Sequence, residues 1–245
     1  MLGWLLLQLL AKQRTRECFL VEFTCYKPPA ECQANTELSI YVSLSREPII
    51  LENLKFQWKI FLSSGLGEET SLPWFIFNDE MVAILDEARV EMEETFATSD
   101  GLFKRTGVTS QDIDILIVTV STFTATPSHA TIVARHYKMK ESVNMFNLSG
   151  MGCSVGVLVV NMAKNLLLVN PDSYALILST KNTTVNAKYP SNDRTFMLTN
   201  SLFRVGGVAL LSPTNTKTLH ETNCSFSTPF RPTWLLMTRP TVAYL

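Results

Sequence analysis

Apolar positions along the chain recur with two periods. Residues 113–120, IDILIVTV, are a near-continuous β-branched and aliphatic run, the pattern of a strand buried on both faces of a parallel sheet. Residues 143–148, 173–180 and 205–212 read as further strands. Between the first two of these, Val155, Leu158, Val159, Met162, Ala163 and Leu166 recur at helical spacing, and Val157, Val160, Leu167 and Leu168 fill most of the remaining circumference. Such a helix, apolar nearly all round, belongs in the middle of a fold. Lys164 is its only charge, and Asn170-Pro171 stops it because the residue before proline is pushed out of the helical region. Residues 79–98 predict an amphipathic helix, with Val82, Leu85, Ala88, Met92 and Phe96 on one side. Its carboxylates Asp86, Glu87, Glu91, Glu93 and Glu94 read as a solvated face. Thr126-Pro127 reads as an N-cap and first-turn proline, opening a helix with Ala130, Val133, Ala134 and Tyr137 on one face. Strands alternating with helices predict a layered α/β fold.

The turn before the apolar helix carries the candidate chemistry. Ser149, Gly150 and Gly152 break the strand just before Cys153. A sharp strand-to-helix elbow needs positive φ and close backbone approach, which glycine supplies without steric cost. Cys153 then stands at a helix N-terminus, where unpaired amide N–H groups and the helix dipole favour an anion and so a reactive thiolate. The competing reading is a small buried apolar residue, which is what most free cysteines are.

Composition removes several function classes. The 245 residues are 46% hydrophobic and 18% charged, enough to bury a proper core. With 21 basic against 22 acidic residues there is no global attraction for phosphate backbones, so nucleic acid is not an expected partner. Cys18, Cys25, Cys32, Cys153 and Cys224 form an odd set without a C-x-x-C pair, which indicates neither a disulfide framework nor a zinc knuckle. Their seven-residue spacing at Cys18, Cys25 and Cys32 is coincidental, since Pro28 and Pro29 forbid one continuous helix there. His129, His136 and His220 show no metal-ligand spacing, and no metal is expected. Gly65-Leu66-Gly67 imitates a phosphate loop, but Glu68 and Glu69 follow and no long helix opens. Residues 2–11 are largely apolar yet too few to cross a bilayer alone, for which about 20 are needed. The basic residues Lys12, Arg14 and Arg16 follow that run instead of preceding it, unlike a signal peptide.

NLSGMGCSVG followed by SYALILST resembles the nucleophile region of plant-type 3-ketoacyl-CoA synthases, the condensing enzymes of very-long-chain fatty acid elongation. VEFTCYKPP at 21–29, SGLGEETSLP at 64–73, Asn192-Asp193-Arg194 and the FRVGG segment at 203–207 are similar to further motifs of that family. The resemblance implies the N-terminal half of a thiolase-like fold, a mixed sheet with a buried central helix, and gives Cys153 the role of acyl-accepting nucleophile. It also implies acyl-CoA and malonyl-CoA as substrates with no bound cofactor, a homo- or heterodimer with related synthases, and the cytosolic face of the endoplasmic reticulum membrane. Residues 1–20 are then the remnant of a membrane anchor, 21–212 the synthase N-terminal domain, and 213–245 a divergent tail. Asn192, Asp193 and Arg194 are expected to be structural, and the family assigns no catalytic histidine to the helix of His129 and His136, which are expected to be exposed or packing residues.

Two positions depart from the pattern beside the site: Lys181 stands where relatives usually have glutamate, and Ser149 replaces a common glycine. The family's second half supplies a histidine and an asparagine to the reaction, and His220 and Asn223 follow too soon to match them. The expectation is an acyltransferase impaired in completing condensation by itself, the alternative a non-catalytic partner of full-length synthases. A chalcone-type polyketide synthase shares the fold but is disfavoured by the VEFTCYKPP and SGLGEETSLP segments.

Overall fold

The computed structural model describes residues 19–46, 49–77, 84–185, 193–214 and 224–225. A five-stranded mixed sheet organises them. Its strands are β2 (Glu22–Cys25), β3 (Ile113–Val120), β4 (Asn144–Ser149), β5 (Tyr174–Thr180) and β6 (Gly207–Pro213), in the order β2-β6-β5-β3-β4. The pairs β3–β4 and β3–β5 are parallel, while β5–β6 and β6–β2 are antiparallel. A separate pair, β1 (Phe19–Leu20) with β7 (Cys224–Ser225), joins the beginning of the described chain to the tail region.

Helices cover both faces of the sheet. On one, Ile115, Ile117, Ala175 and Ile177 pack against Val155, Val159, Ala163 and Leu167 of the long apolar helix Val155–Val169. On the other, Leu116, Val118, Leu176, Leu178, Ala209 and Leu211 pack with residues of Ile84–Phe96, Thr98–Thr106 and His129–His136. Numbering the helices in chain order, α1 is Thr36–Arg46, α2 Leu51–Ser64, α3 Ile84–Phe96, α4 Thr98–Thr106, α5 His129–His136, α6 Val155–Val169 and α7 Arg194–Leu202. The alternate residues of β3 thus feed two separate cores, which explains why the strand is apolar throughout.

Several elements differ from the sequence expectation. α1 and α2 were not anticipated, because the buried stripe of α2 is Asn53, Gln57 and Phe61, while Leu51, Trp58 and Leu62 face outward. A hydrophobic period is absent where the buried face is polar. Helix α5 starts after Ser128, whose hydroxyl accepts from the Thr131 amide, so Ser128 and not Thr126 is the cap. In α3, Ala88, Met92 and Phe96 are buried as expected, but Leu85 is exposed and Glu91 is only 5% exposed. Glu91 therefore leaves the solvated face assigned to it. Val82 lies outside the described residues. Helix α6 is central to one sheet face, yet Val157, Leu158 and Val169 on its outer side are 49%, 46% and 73% exposed. Its apolar circumference is thus covered along one stripe only.

Candidate functional site

The parallel register brings the carboxyl ends of three strands together. Val120 is paired with Ser149 on one side and Thr180 on the other. In open α/β sheets, ligands meet the protein outside such strand ends.

Beyond β4 the chain turns through Gly150 and Gly152, at φ +73° and +68°, conformations that side chains with a Cβ adopt at a cost. The elbow delivers Cys153, a free and exposed thiol, immediately before Ser154, the N-cap of α6. The Ser154 carbonyl accepts from the amides of Val157 and Leu158 at 3.2 and 3.4 Å, which starts the helix. Cys153 thus lies at the amino end of a 15-residue helix, as its letters suggested, and is not enclosed. Two small cavities lie elsewhere: one between α6 and β6, lined by Val160, Ala163 and Leu210, the other bordered by Tyr26, Cys32 and Glu91.

The third strand end is fastened with care. The Thr180 hydroxyl donates to the Gly206 carbonyl at 2.8 Å. The Asn182 side-chain amide donates to the Ala88 carbonyl at 2.8 Å, and the Thr122 hydroxyl donates to the Asn182 carbonyl. The buried Glu91 carboxylate receives the amides of Thr183 and Thr184 and the Thr183 hydroxyl. Burial pushes the Glu91 carboxyl up from its ordinary range, and these hydrogen bonds oppose that shift. Lys181, half-buried, leads this segment with its ammonium over the Phe203 ring. Burial brings Lys181 down to about 8, and the negative charge of Cys153 pulls in the opposite direction.

The remaining candidates are not gathered here. His129 is 1% exposed, packed edge-on to Phe96 with ring centroids 6.0 Å apart and tilted against Phe123 at 5.4 Å. It is the packing histidine anticipated, and burial pushes its imidazole down from the ordinary value. His136 is exposed beside Tyr137. Asp193 caps α7 by accepting from the Thr195 amide at 2.8 Å, and Arg194 reaches Asn53 and Glu52, so both are structural. Asn192, His220 and Asn223 lie outside the described residues, as do Cys18 and residues 2–11. Ser149 accepts at its hydroxyl from the Asn147 side chain at 3.0 Å. Among the described residues no His, Cys, Asp and Glu group is placed to hold a metal ion. Sequence reading missed the role of Glu91, and the buried residues Ala88 and Met92 flanking it along α3 were the signal that it faces inward.

This architecture is shared with solved type III polyketide synthases. A fungal type III polyketide synthase, ORAS, superposes with a TM-score of 0.67 at 16% identity, covering 80% of this chain and 55% of that one. PKS-I from the brown algae Ectocarpus siliculosus gives 0.67 at 17% identity, over 82% and 57% of the two chains. CsyB complexed with CoA-SH gives 0.64 at 17% identity, over 80% and 56%. At these identities the likeness defines the thiolase-like fold. Residues 10–231 match the family described as FAE1/Type III polyketide synthase-like protein, and the chain belongs to that family. Within it, the chain is 42% identical to 3-ketoacyl-CoA synthase 6 of Arabidopsis thaliana over 202 residues, 80% of this chain and 40% of that one. It is 41% identical to 3-ketoacyl-CoA synthase 2 of the same plant over 199 residues, 81% and 38% of the two. The chain spans about two fifths of the length of these curated relatives.

Proposed function

We propose that the chain carries the acyl-loading centre of a 3-ketoacyl-CoA synthase, with Cys153 as nucleophile. The supporting observation is the placement of an exposed thiol at the amino end of α6, on the strand-to-helix elbow of a thiolase-like sheet. In the loading step the Cys153 thiolate attacks the carbonyl of a long-chain acyl-CoA, the bond from that carbonyl to the CoA sulfur breaks, and CoA leaves as its thiolate. Thiols are weak nucleophiles until ionised, and the developing oxyanion needs N–H donors, of which the Cys153 amide is the nearest in sequence. The acyl group then passes to the carbanion released by decarboxylation of malonyl-CoA, a step that needs further donors for the enolate oxygen. The names of the relatives and the CoA in the CsyB complex favour these substrates. Family likeness likewise favours the cytosolic face of the endoplasmic reticulum membrane, although among the described residues no helix is long and apolar enough to cross a bilayer. The test is CoA release from a long-chain acyl-CoA in the absence of malonyl-CoA. About one equivalent per chain is expected, and Cys153→Ala abolishes it; release unaffected by that substitution contradicts the assignment.

The exposed outer side of α6 favours a second reading, in which the chain pairs with a related synthase through Val157, Leu158 and Val169. Pull-down of a full-length relative by the chain but not by a Leu158→Glu variant supports pairing. Equal capture by both excludes this surface.

A further inference from the structure

Thr119 puts a hydroxyl on an otherwise aliphatic strand face. Alternation along β3 sends Ile115 and Ile117 into the core beneath α6, and Thr119, two residues on, continues that face toward the amino end of the helix. Its register partners are Leu148 of β4 and Ser179 of β5, and Ser179 follows Ala175 and Ile177 on the same face. The Ser179 hydroxyl reaches the helix end: a Cβ built on Gly156 would stand 4.0 Å from it, and the bare glycine leaves that space open. Thr119 is fully buried, and its hydroxyl has no hydrogen-bond partner among the described residues. In the first turn of α6 the Val155 amide donates to the Gly152 carbonyl at 3.3 Å, and the Val157 and Leu158 amides share the Ser154 carbonyl. The Gly156 amide between them has no backbone acceptor among the described residues, the usual state of an N–H in an opening turn.

We propose that Thr119, Ser179 and the Gly156 amide hold one water molecule between the sheet and the first turn of α6, and that the two hydroxyls are thereby positioning residues for Cys153. The amide donates to the water oxygen, and each hydroxyl accepts one of its hydrogens. Buried waters typically make about three such bonds to polar groups that the protein leaves unpaired. An orphaned buried hydroxyl is destabilising, and a bridging water removes that penalty. Helix α6 also lacks its usual anchor, because Ser154, the N-cap, makes no side-chain capping bond. The water supplies from the sheet side what the cap does not, and it fixes the turn three residues beyond Cys153. The inference rests on the loading reading only for what the positioned sulfur does; the water site is a property of the resting protein.

The hydroxyls at the ends of β4 and β5 are already engaged. Ser149 accepts from the Asn147 side chain, and Thr180 donates to the Gly206 carbonyl. Ile117 and Ile177 below Thr119 and Ser179, and Leu148 beside them, are apolar, which confines the water to this one polar spot.

The test joins a crystal structure of the unaltered chain with amide hydrogen exchange over residues 155–158. An ordered water within about 3.2 Å of both Thr119 Oγ1 and Ser179 Oγ is expected, and clear density without one overturns the proposal. Thr119→Val keeps the shape but removes the hydroxyl, and is expected to speed exchange over 155–158 about fivefold, while Thr119→Ser restores the original rate. Ser179→Ala gives the same rise, and the double variant no more than either alone, since both lose the same water. Unchanged exchange in Thr119→Val, or two effects that multiply, contradicts the shared water. Should Thr119→Val fail to fold, Ser179→Ala and the crystal structure still decide. In single-turnover loading, Thr119→Val lowers the maximal rate several-fold at an unchanged half-saturating acyl-CoA concentration, and Thr119→Ser recovers it; an effect confined to the half-saturating concentration contradicts positioning. Exchange and crystallography involve no acyl-CoA, so the expected results there with absent CoA release defeat the loading reading alone.

Discussion

The Glu91 carboxylate on α3 closes on Thr183: the Thr183 amide donates to its two oxygens at 2.9 and 3.0 Å, and the Thr183 hydroxyl donates to one of them at 2.7 Å. The Thr184 amide adds a further bond at 2.9 Å. One carboxylate thus satisfies two buried backbone donors in the segment that leads away from β5 and carries Lys181. Removing it leaves those buried donors without their protein partner. Glu91→Ala is expected to lower stability by about 3 kcal/mol in urea unfolding. A loss under about 0.5 kcal/mol, the level of an ordinary surface change, contradicts this role.

His129 sets a pH dependence with a definite sign. Both ring nitrogens are buried, and neither has a hydrogen-bond partner among the described residues. Burial holds the folded imidazole below its ordinary value of 6.5, so the unfolded chain binds the proton more readily. Stability on this account is fully present above the ordinary value and falls as pH drops toward the depressed folded value. His129→Leu removes two unpaired polar atoms and is expected to stabilise by about 1 to 2 kcal/mol at pH 7. The gap between the two proteins should widen from pH 7 to pH 5 in parallel urea titrations; a constant gap contradicts the assignment.

Gly207 marks a close crossing that its neighbour Gly206 does not. A Cβ at Gly207 would overlap the Thr95 methyl of α3 and come within 3.2 Å of Thr180, whereas one at Gly206 meets open space. Gly207→Ala is expected to cost about 2 kcal/mol or more by overpacking, and Gly206→Ala well under 1 kcal/mol. Thermal melts of the two variants decide, and equal shifts contradict the crossing.

Gly152 matters for conformation instead of space. No atom lies within 4 Å of a Cβ built there, but its φ is +68°. Gly152→Ala is expected to cost about 1 kcal/mol through backbone strain, with Gly152→Asn closer to neutral because asparagine tolerates the left-handed region. CoA release should fall more in the alanine than in the asparagine variant. The reverse order contradicts a role for the left-handed turn in presenting Cys153.

The parts of the fold legible in the letters are those where burial and period coincide. β3 is apolar at nearly every position because it faces two cores, and its bounds were readable as 113–120. The glycine elbow was readable because positive φ leaves a compositional trace at Gly150 and Gly152. Two kinds of feature were not legible. In α2 the buried positions include Asn53 and Gln57, so the usual apolar stripe is missing. In α3 a carboxylate faces inward: its place beside Ala88 and Met92 marks the buried side, but its partners, Thr183 and Thr184, are more than ninety residues away and leave no local trace. At the candidate site, the cysteine and its helix were readable from sequence, as was the departure at Lys181. What required coordinates was the meeting of β5's end with the first turn of α6, a consequence of parallel strand order and not of sequence distance.

The acyl-loading account stands most directly on where an acyl group resides after reaction. Incubation with a long-chain acyl-CoA, followed by proteolysis and tandem mass spectrometry, is expected to find the acyl mass on the peptide containing Cys153 and to release it with neutral hydroxylamine, as a thioester requires. An acyl group on Cys25 or Cys32 instead, or none on Cys153 under conditions where CoA is released, contradicts it.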